Sequence, residues 1–191
     1  MSIALIDFGA GNLHSVYKAL RYVGAEVEIT SDLLLIEKSS AVVFPGVGAF
    51  GSVMNSIKKN NLEETIIKSA KSSKPFLGIC VGMQVLFEQG EENAEEKGLG
   101  IFKGKVVKFK KARKVPHIGW NDVSMYGERF YFVHSYYVIP EDKKIIYSQT
   151  EYDGEIFTSA IKKNNLLAVQ FHPEKSGEAG LRLLKTFVQS L

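Results

Sequence analysis

The 191-residue chain is 45% apolar and 24% charged with a formal net charge of +3, an ordinary globular balance whose small positive excess does not imply nucleic acid. A single cysteine excludes an internal disulfide and with it a secreted disulfide scaffold, and points to a reducing compartment. No apolar run approaches the ~18 residues of a membrane span, and Ser2 leads into Ile3-Ala4-Leu5-Ile6-Asp7 without the basic flank of a signal peptide, so a cytoplasmic protein is expected.

In chain order, Ile3–Ile6 reads as an apolar strand closed by Asp7-Phe8-Gly9-Ala10-Gly11. Asn12 can cap a helix carrying Val16, Ala19, Leu20 and Val23 on one face and ended by Gly24. Glu26–Thr30 alternates as a second strand, Ser31-Asp32 opens a short helix or turn through Glu37, and Ala41–Phe44 is a third strand. Helical patterns follow over Met54–Lys58 and Leu62–Ala70. Strands alternating with helices predict parallel βαβ units in a doubly wound α/β sheet, where ligands sit at the carboxyl ends of the strands.

Beyond Gly90 the pattern changes. Glu91, Glu92, Glu95 and Glu96 form an acidic loop. Lys103, Lys105, Lys108, Lys110, Lys111, Arg113 and Lys114 then follow with no acid among them, which reads as a solvated strand face ahead of a face toward an acidic partner. From Val106 to Gln170 short alternating strands with turns at Tyr126-Gly127, Asp153-Gly154 and Asn164-Asn165 predict a mostly antiparallel β extension. Helical periodicity returns in Leu181, Leu184, Phe187, Val188 and Leu191. Without a repeat or a linker, the chain reads as one domain over 1–191.

The informative stretch is Pro75–Glu88. Phe76–Ile79 suits a buried strand, and the residues from Val81 to Glu88 suit a helix with a broad apolar face. Cys80 lies at the junction with Gly78 and Gly82 two residues to either side. A sharp strand-to-helix turn needs such small neighbours, and this one is the thiol counterpart of the Gly-x-Ser-x-Gly nucleophile turn. A helix N-terminus there favours thiolate over thiol. A lone cysteine is more often a buried apolar residue, but the flanking glycines and the turn shift the reading to a nucleophile.

A nucleophilic thiol needs a base. Of four histidines, His14 sits on the first helix as a surface or packing residue, and His117 and His134 read as buried, hydrogen-bonded side chains. His172 differs: Gln170-Phe171-His172-Pro173-Glu174 ends a strand and turns at Pro173, and Glu174 can hold one ring nitrogen while the other faces a thiol. Scattered His and one Cys give no zinc spacing. Gly46-x-Gly48-x-x-Gly51 matches a dinucleotide fingerprint only weakly, because Cys80 follows the next strand where a ribose-binding acid is wanted. Read alone, the Pro45–Gly51 loop serves equally well as a plain turn or as a donor of N–H groups to an oxyanion.

These segments resemble the signatures of class I (triad-type) glutamine amidotransferases: Gly78-Ile79-Cys80-Val81-Gly82-Met83-Gln84, the Pro45–Phe50 loop and Gln170–Glu174. Pro116–Asn121, Tyr131–Tyr136, Glu151–Gly154 and Lys175-Ser176-Gly177 are similar, within that family, to the glutaminase subunits of imidazole glycerol phosphate synthases. The likeness runs through the whole chain. One departure is the short Asp122–Arg129 connection, which has little room for an extra turn that many members carry.

The resemblance implies hydrolysis of glutamine's side-chain amide and delivery of ammonia to a (β/α)8-barrel cyclase subunit in histidine biosynthesis, without a cofactor. It implies Cys80, His172 and Glu174 as the catalytic triad, and Val47 and Val81 as oxyanion donors. Gly48, Gln84, His134 and Ser135 match glutamine-pocket positions, and Asn12, Trp120, Tyr131 and Lys175 match positions near the cyclase. Two alternatives share these residues: a paralogue feeding a cyclase-like subunit in another pathway such as surface-sugar amination, and a non-catalytic binding module that retains the triad.

Overall fold

The computed structural model describes residues 2–9, 13–92 and 97–191. The first strand, β1 (Ser2–Ile6), pairs in parallel with β2 (Glu26–Thr30) on one side and β3 (Ala41–Phe44) on the other. β4 (Phe76–Ile79) lies parallel to β3. Between them come α1 (Leu13–Tyr22), α2 (Leu33–Lys38), α3 (Phe50–Lys59) and α4 (Glu63–Lys71). All four residues of β3 and of β4 are buried, as expected of strands covered on both faces.

Local chemistry explains the helix ends. Ala25 N–H donates to Leu20 and Gly24 N–H to Arg21, with Gly24 at φ 93°, which is the six-to-one and five-to-two pair of a glycine-terminated helix. Asp32 caps α2 by accepting from the N–H groups of Leu34 and Leu35 at 2.8 and 3.1 Å. Asn12, expected to cap the first helix, lies outside the described residues.

The remaining strands are β5 (Phe87–Gly90), β6 (Phe102–Lys108), β7 (His117–Val123), β8 (Glu128–His134), β9 (Tyr136–Pro140), β10 (Ile146–Tyr152), β11 (Glu155–Lys163) and β12 (Leu166–Val169), and the last helix is α6 (Gly177–Gln189). The main sheet runs β2-β1-β3-β4-β12-β11-β9-β6-β5, with β10 paired to β11 beside that path, while β7 and β8 form a separate hairpin. The mainly parallel sheet with an antiparallel extension is therefore as expected. So are the turns: Asp153 and Gly154, at φ 51° and 80°, join β10 to β11 with the two positive φ values of a tight hairpin. β12 is the exception. Its sequence pattern places it with the antiparallel strands, yet it pairs in parallel with β4 and antiparallel with β11, so it joins the two halves of the sheet.

The element after Cys80 is also shorter than its apolar pattern suggested. α5 spans only Val81–Gln84, and Phe87 and Glu88 belong to β5. The carbonyls that would carry the helix onward are taken by the returning chain: Val85 accepts from Leu99, Leu86 from Ile101 and Phe102, and Glu88 from Gly98. A helix of one turn contributes little macrodipole, so that argument for a thiolate weakens.

Glycines decide how closely these pieces approach. A Cβ on Gly82 would lie 2.2 Å from the Phe44 carbonyl oxygen, and one on Gly46 would lie 2.5 Å from Gly82 N. The loop after β3 and the turn after β4 thus pack main chain against main chain. Gly82→Ala should lower the urea midpoint by an amount corresponding to about 1–3 kcal/mol, the usual cost of overpacking. An unchanged midpoint would mean that the two segments separate without penalty.

Candidate active site

β3, β4 and β12 are adjacent and parallel, so Pro45–Gly51, Cys80 and Gln170–Glu174 all leave the same edge of the sheet. That edge is the carboxyl end, where open α/β sheets place their sites. A cavity of about 310 Å³ opens there, lined by Val47, Gly48, Ala49, Cys80, Val81, Gln84, Glu92, Pro116, Val133, His134, Ser135, Tyr136 and His172.

Cys80 is 3% exposed and has φ 54° and ψ −114°. Its N–H donates to Val169 at 2.7 Å and its carbonyl accepts from Met83 and Gln84. These bonds fix the turn from β4 into α5. His172 follows β12, and its Nδ1 lies 2.8 Å from Glu174 Oε1 with both side chains almost fully buried. His172 Nε2 and Glu174 Oε2 are buried and have no hydrogen-bond partner among the described residues. The loop is tied to β8, since His172 N–H donates to the Tyr131 carbonyl, Tyr131 N–H donates to Ser176 Oγ, and Ser176 Oγ–H donates to the His172 carbonyl.

Burial by itself lowers the pKa of His172, but the proximity and charge of Cys80, and then of Glu174, outweigh it and raise the group to about 10. This histidine holds its proton at neutral pH. The other two buried histidines go the opposite way. His134 Nδ1 lies 2.8 Å from the Tyr136 carbonyl oxygen, which can only accept, so Nδ1 carries the hydrogen. His134 Nε2 then accepts from His117 Nδ1–H at 3.1 Å, and His117 Nε2 accepts from Asn121 Nδ2 at 3.4 Å. Each ring is neutral and satisfied. Burial lowers His117 to about 4 and His134 to about 3, the latter helped by the repulsion that a second positive ring would meet beside His117 and His172.

The sequence-derived positions separate into groups. Cys80, His172, Val47, Val81, Gly48, Gln84, His134 and Ser135 share the cavity wall, and Glu174 stands behind His172. Gln84 uses both amide hydrogens on the Tyr136 carbonyl and on Gln170 Oε1, each at 3.0 Å, which leaves its own oxygen for a ligand. His134 has both nitrogens engaged and offers the cavity only ring surface. Trp120, Tyr131 and Lys175 lie together outside the cavity. The Trp120 and Tyr131 rings are 6.3 Å apart edge-on, Lys175 Nζ is 5.9 Å from the Tyr131 ring, and Trp120 and neighbouring Ile118 are 47% and 57% exposed. Asn12 lies outside the described residues.

Two wall or near-wall residues were not singled out from the sequence. Glu92 brings a carboxylate to the cavity while accepting from Phe50 N–H at 2.7 Å; nothing in its acidic loop distinguishes it from its neighbours. Gln170 is fully buried, with Nε2 3.6 Å from Cys80 Sγ. Its signal in the sequence is its place two residues before His172 in the Gln170–Glu174 stretch.

What the architecture defines is an α/β protein with a thiol, an imidazole and a carboxylate converging at the carboxyl edge of a parallel sheet. The chain belongs to the class I glutamine amidotransferases, whose family pattern matches residues 4–191. It is 47% identical to the imidazole glycerol phosphate synthase subunit HisH of Caldanaerobacter subterraneus, over 97% of this chain and 96% of that one. Against the subunits of the same name from Aquifex aeolicus and Acinetobacter baylyi the identities are 45% and 48%, covering 98% of this chain and 96% and 97% of theirs. Among solved structures, a glutamine amidotransferase superposes with TM-score 0.79 at 18% identity, covering 98% of each chain. The PurLQS structure from Thermotoga maritima superposes with TM-score 0.75 at 17% identity, covering 99% of this chain and 97% of that one.

The neutral pair makes stability depend on acid. Both folded pKa values lie below the ordinary value of 6.5. The unfolded state therefore binds more protons below 6.5, and stability falls as pH falls. His172 shifts upward, so its contribution is complete below 6.5 and is lost only as pH rises through about 10. Between pH 6.5 and 5 we expect His117 and His134 to remove on the order of 1–2 kcal/mol each. Urea midpoints across that window measure it, and His117→Phe should flatten the slope.

Proposed function

We propose that the chain is the glutaminase subunit of an imidazole glycerol phosphate synthase, a single glutaminase domain over 1–191. It hydrolyses L-glutamine to glutamate and ammonia and passes the ammonia to a cyclase subunit in histidine biosynthesis. The full-length likeness to the HisH subunits supports the assignment. The observation that carries the chemistry is His172, anchored through Nδ1 on Glu174 and left with a buried, unbonded Nε2.

The Cys80 thiolate attacks the side-chain amide carbon of glutamine, forming a C–S bond and placing negative charge on the amide oxygen. The N–H groups of Val81 and Val47 receive that oxyanion, each donor lowering the barrier by roughly 3 kcal/mol. His172 gives its Nε2 proton to the nitrogen, the C–N bond breaks, and ammonia leaves an acyl thioester. The imidazole, now neutral, takes a proton from water as the water oxygen attacks the thioester carbon. Collapse breaks the C–S bond and releases the side chain as a carboxylic acid, which loses its proton to water to give glutamate, with the thiolate and imidazolium restored. A pKa raised to about 10 suits this cycle, since the acid is charged before the first step. Glu174 holds the ring so that the proton sits at Nε2.

The cavity suits this substrate. Glu92 supplies a negative charge for the α-ammonium group. Gly48 and Ser135 line the wall, Gln84 presents its oxygen, and the neutral ring of His134 adds surface without a competing charge. Trp120, Tyr131 and Lys175 form the docking face for a (β/α)8-barrel cyclase in a cytoplasmic heterodimer, with Asn12 assigned to the same face from sequence. Trp120 supplies a half-exposed aromatic anchor of the kind that dominates interfaces. A free glutaminase would waste glutamine, so the lone chain should turn over slowly until the cyclase and its ligand bind.

Cys80→Ala should abolish glutamine-dependent synthesis by the assembled enzyme while sparing synthesis from added ammonium salt. Loss of both activities would assign the residue to assembly. Full, partner-insensitive turnover by the isolated chain would contradict the expected dependence on the cyclase.

A further inference from the structure

Gln170 lies at the end of β12 with a fully buried side chain, and its main-chain N–H donates to Ser159 at 2.9 Å. The direction of its side-chain amide follows from an acceptor two steps away. The Tyr136 carbonyl can only accept, so the Gln84 atom 3.0 Å from it is the amide nitrogen. The second hydrogen of that nitrogen meets Gln170 at 3.0 Å, so the Gln170 atom there is oxygen. The other end of the Gln170 amide is then its NH2 group, and that nitrogen is 3.6 Å from Cys80 Sγ. A carbonyl, two amides and a sulfur make one chain of determined polarity. It ends with a donor on the sulfur.

We propose that Gln170 acts directly on the nucleophile, donating an N–H hydrogen bond to Cys80 Sγ that favours the thiolate and directs it, with Gln84 fixing the sense of the amide. The proposal rests on the reading of Cys80 as the nucleophile. His172 and Gln170 then divide the work on the sulfur. The imidazolium balances its charge and later delivers a proton, whereas the amide has no proton to give up and stays a donor through the cycle. A donor to sulfur also stabilises the free thiolate more than the neutral thioester, so it favours regeneration of the thiolate when the acyl group leaves.

A purely structural role for the buried amides predicts a different result from a donor to sulfur. Cys80 is the only cysteine in the chain, so the rate of iodoacetamide alkylation of the whole protein reports its thiolate fraction. A hydrogen bond to a charged group sets the scale: Gln170→Leu should move the alkylation pH profile upward by about one unit, slowing the reaction roughly tenfold on the acid limb of that profile. A profile superimposable on that of the parent, even with turnover reduced, overturns the proposal. If Gln170→Leu does not fold, the parent protein decides by itself. The side-chain amide protons of Gln170, followed by NMR, should shift along the same titration as alkylation, and resonances that stay fixed through it overturn the donor role. Alkylated protein that retains glutaminase activity would remove the nucleophile reading instead, and the proposal with it.

Discussion

The main chain of Cys80 is the constraint around which the structure is arranged. At φ 54° and ψ −114° it occupies a region that costs a non-glycine residue about 1–3 kcal/mol and persists only where neighbours over-determine it. Those neighbours are identifiable. Its N–H is fixed on Val169 of β12, its carbonyl is fixed by Met83 and Gln84 of α5, and Gly82 brings α5 against the Phe44 carbonyl. Two of these supports come from the ends of β12 and β3, and the third from the turn of α5 itself. Holding the thiol at the turn therefore also sets the spacing between the β3 loop and the His172 segment. The flanking glycines are required by this packing, whatever chemistry the sulfur performs.

Three buried histidines lie near this turn, and burial does not decide their charge. His117, His134 and His172 are each no more than 6% exposed, yet the first two are driven to about 4 and 3 and the third to about 10. The difference lies in their partners. A peptide carbonyl and a second imidazole satisfy a neutral ring without adding negative charge, so desolvation prevails. Glu174 and Cys80 can both carry negative charge, and together they exceed the desolvation penalty. The result is one charged imidazole beside a wall of neutral ones. In a single small cavity, that separation reserves the proton for the ring nearest the sulfur.

Much of this was legible before any coordinates. The strands Ile3–Ile6, Glu26–Thr30, Ala41–Phe44 and Phe76–Ile79 follow from short apolar runs between helical patterns, and Cys80, His172 and Glu174 follow from turn chemistry joined to a family resemblance. The misreadings have physical causes. Val85, Leu86 and Phe87 fit a helix as well as they fit a buried strand, because a short apolar run carries no period of its own. Their fate was set by Gly98–Phe102, whose N–H groups claim the same carbonyls across a loop. Leu166–Val169 was grouped with the antiparallel strands because sequence order places it after them, whereas its parallel partner, β4, lies far back along the chain. Glu92 was hidden among like charges. Gln170 belongs to the same stretch as His172 and Glu174, and only its sulfur contact distinguishes it from a buried structural amide.

The exposed patch and the imidazole are parts of one hydrogen-bonded unit. Tyr131, whose ring meets Trp120 and Lys175 at the surface, uses its main-chain carbonyl to hold His172 N–H and its main-chain N–H to hold Ser176 Oγ. Ser176 returns its hydrogen to the His172 carbonyl. Gly180 lets α6 close on the same loop, since a Cβ there would lie 1.8 Å from the Pro173 carbonyl oxygen. The loop is thus held by β8 on one side and by α6 on the other. A shift of the Tyr131 main chain must carry His172 with it or break these bonds. The position of the imidazole relative to the sulfur is therefore set jointly by the strand that bears the patch and by the strand that bears the nucleophile.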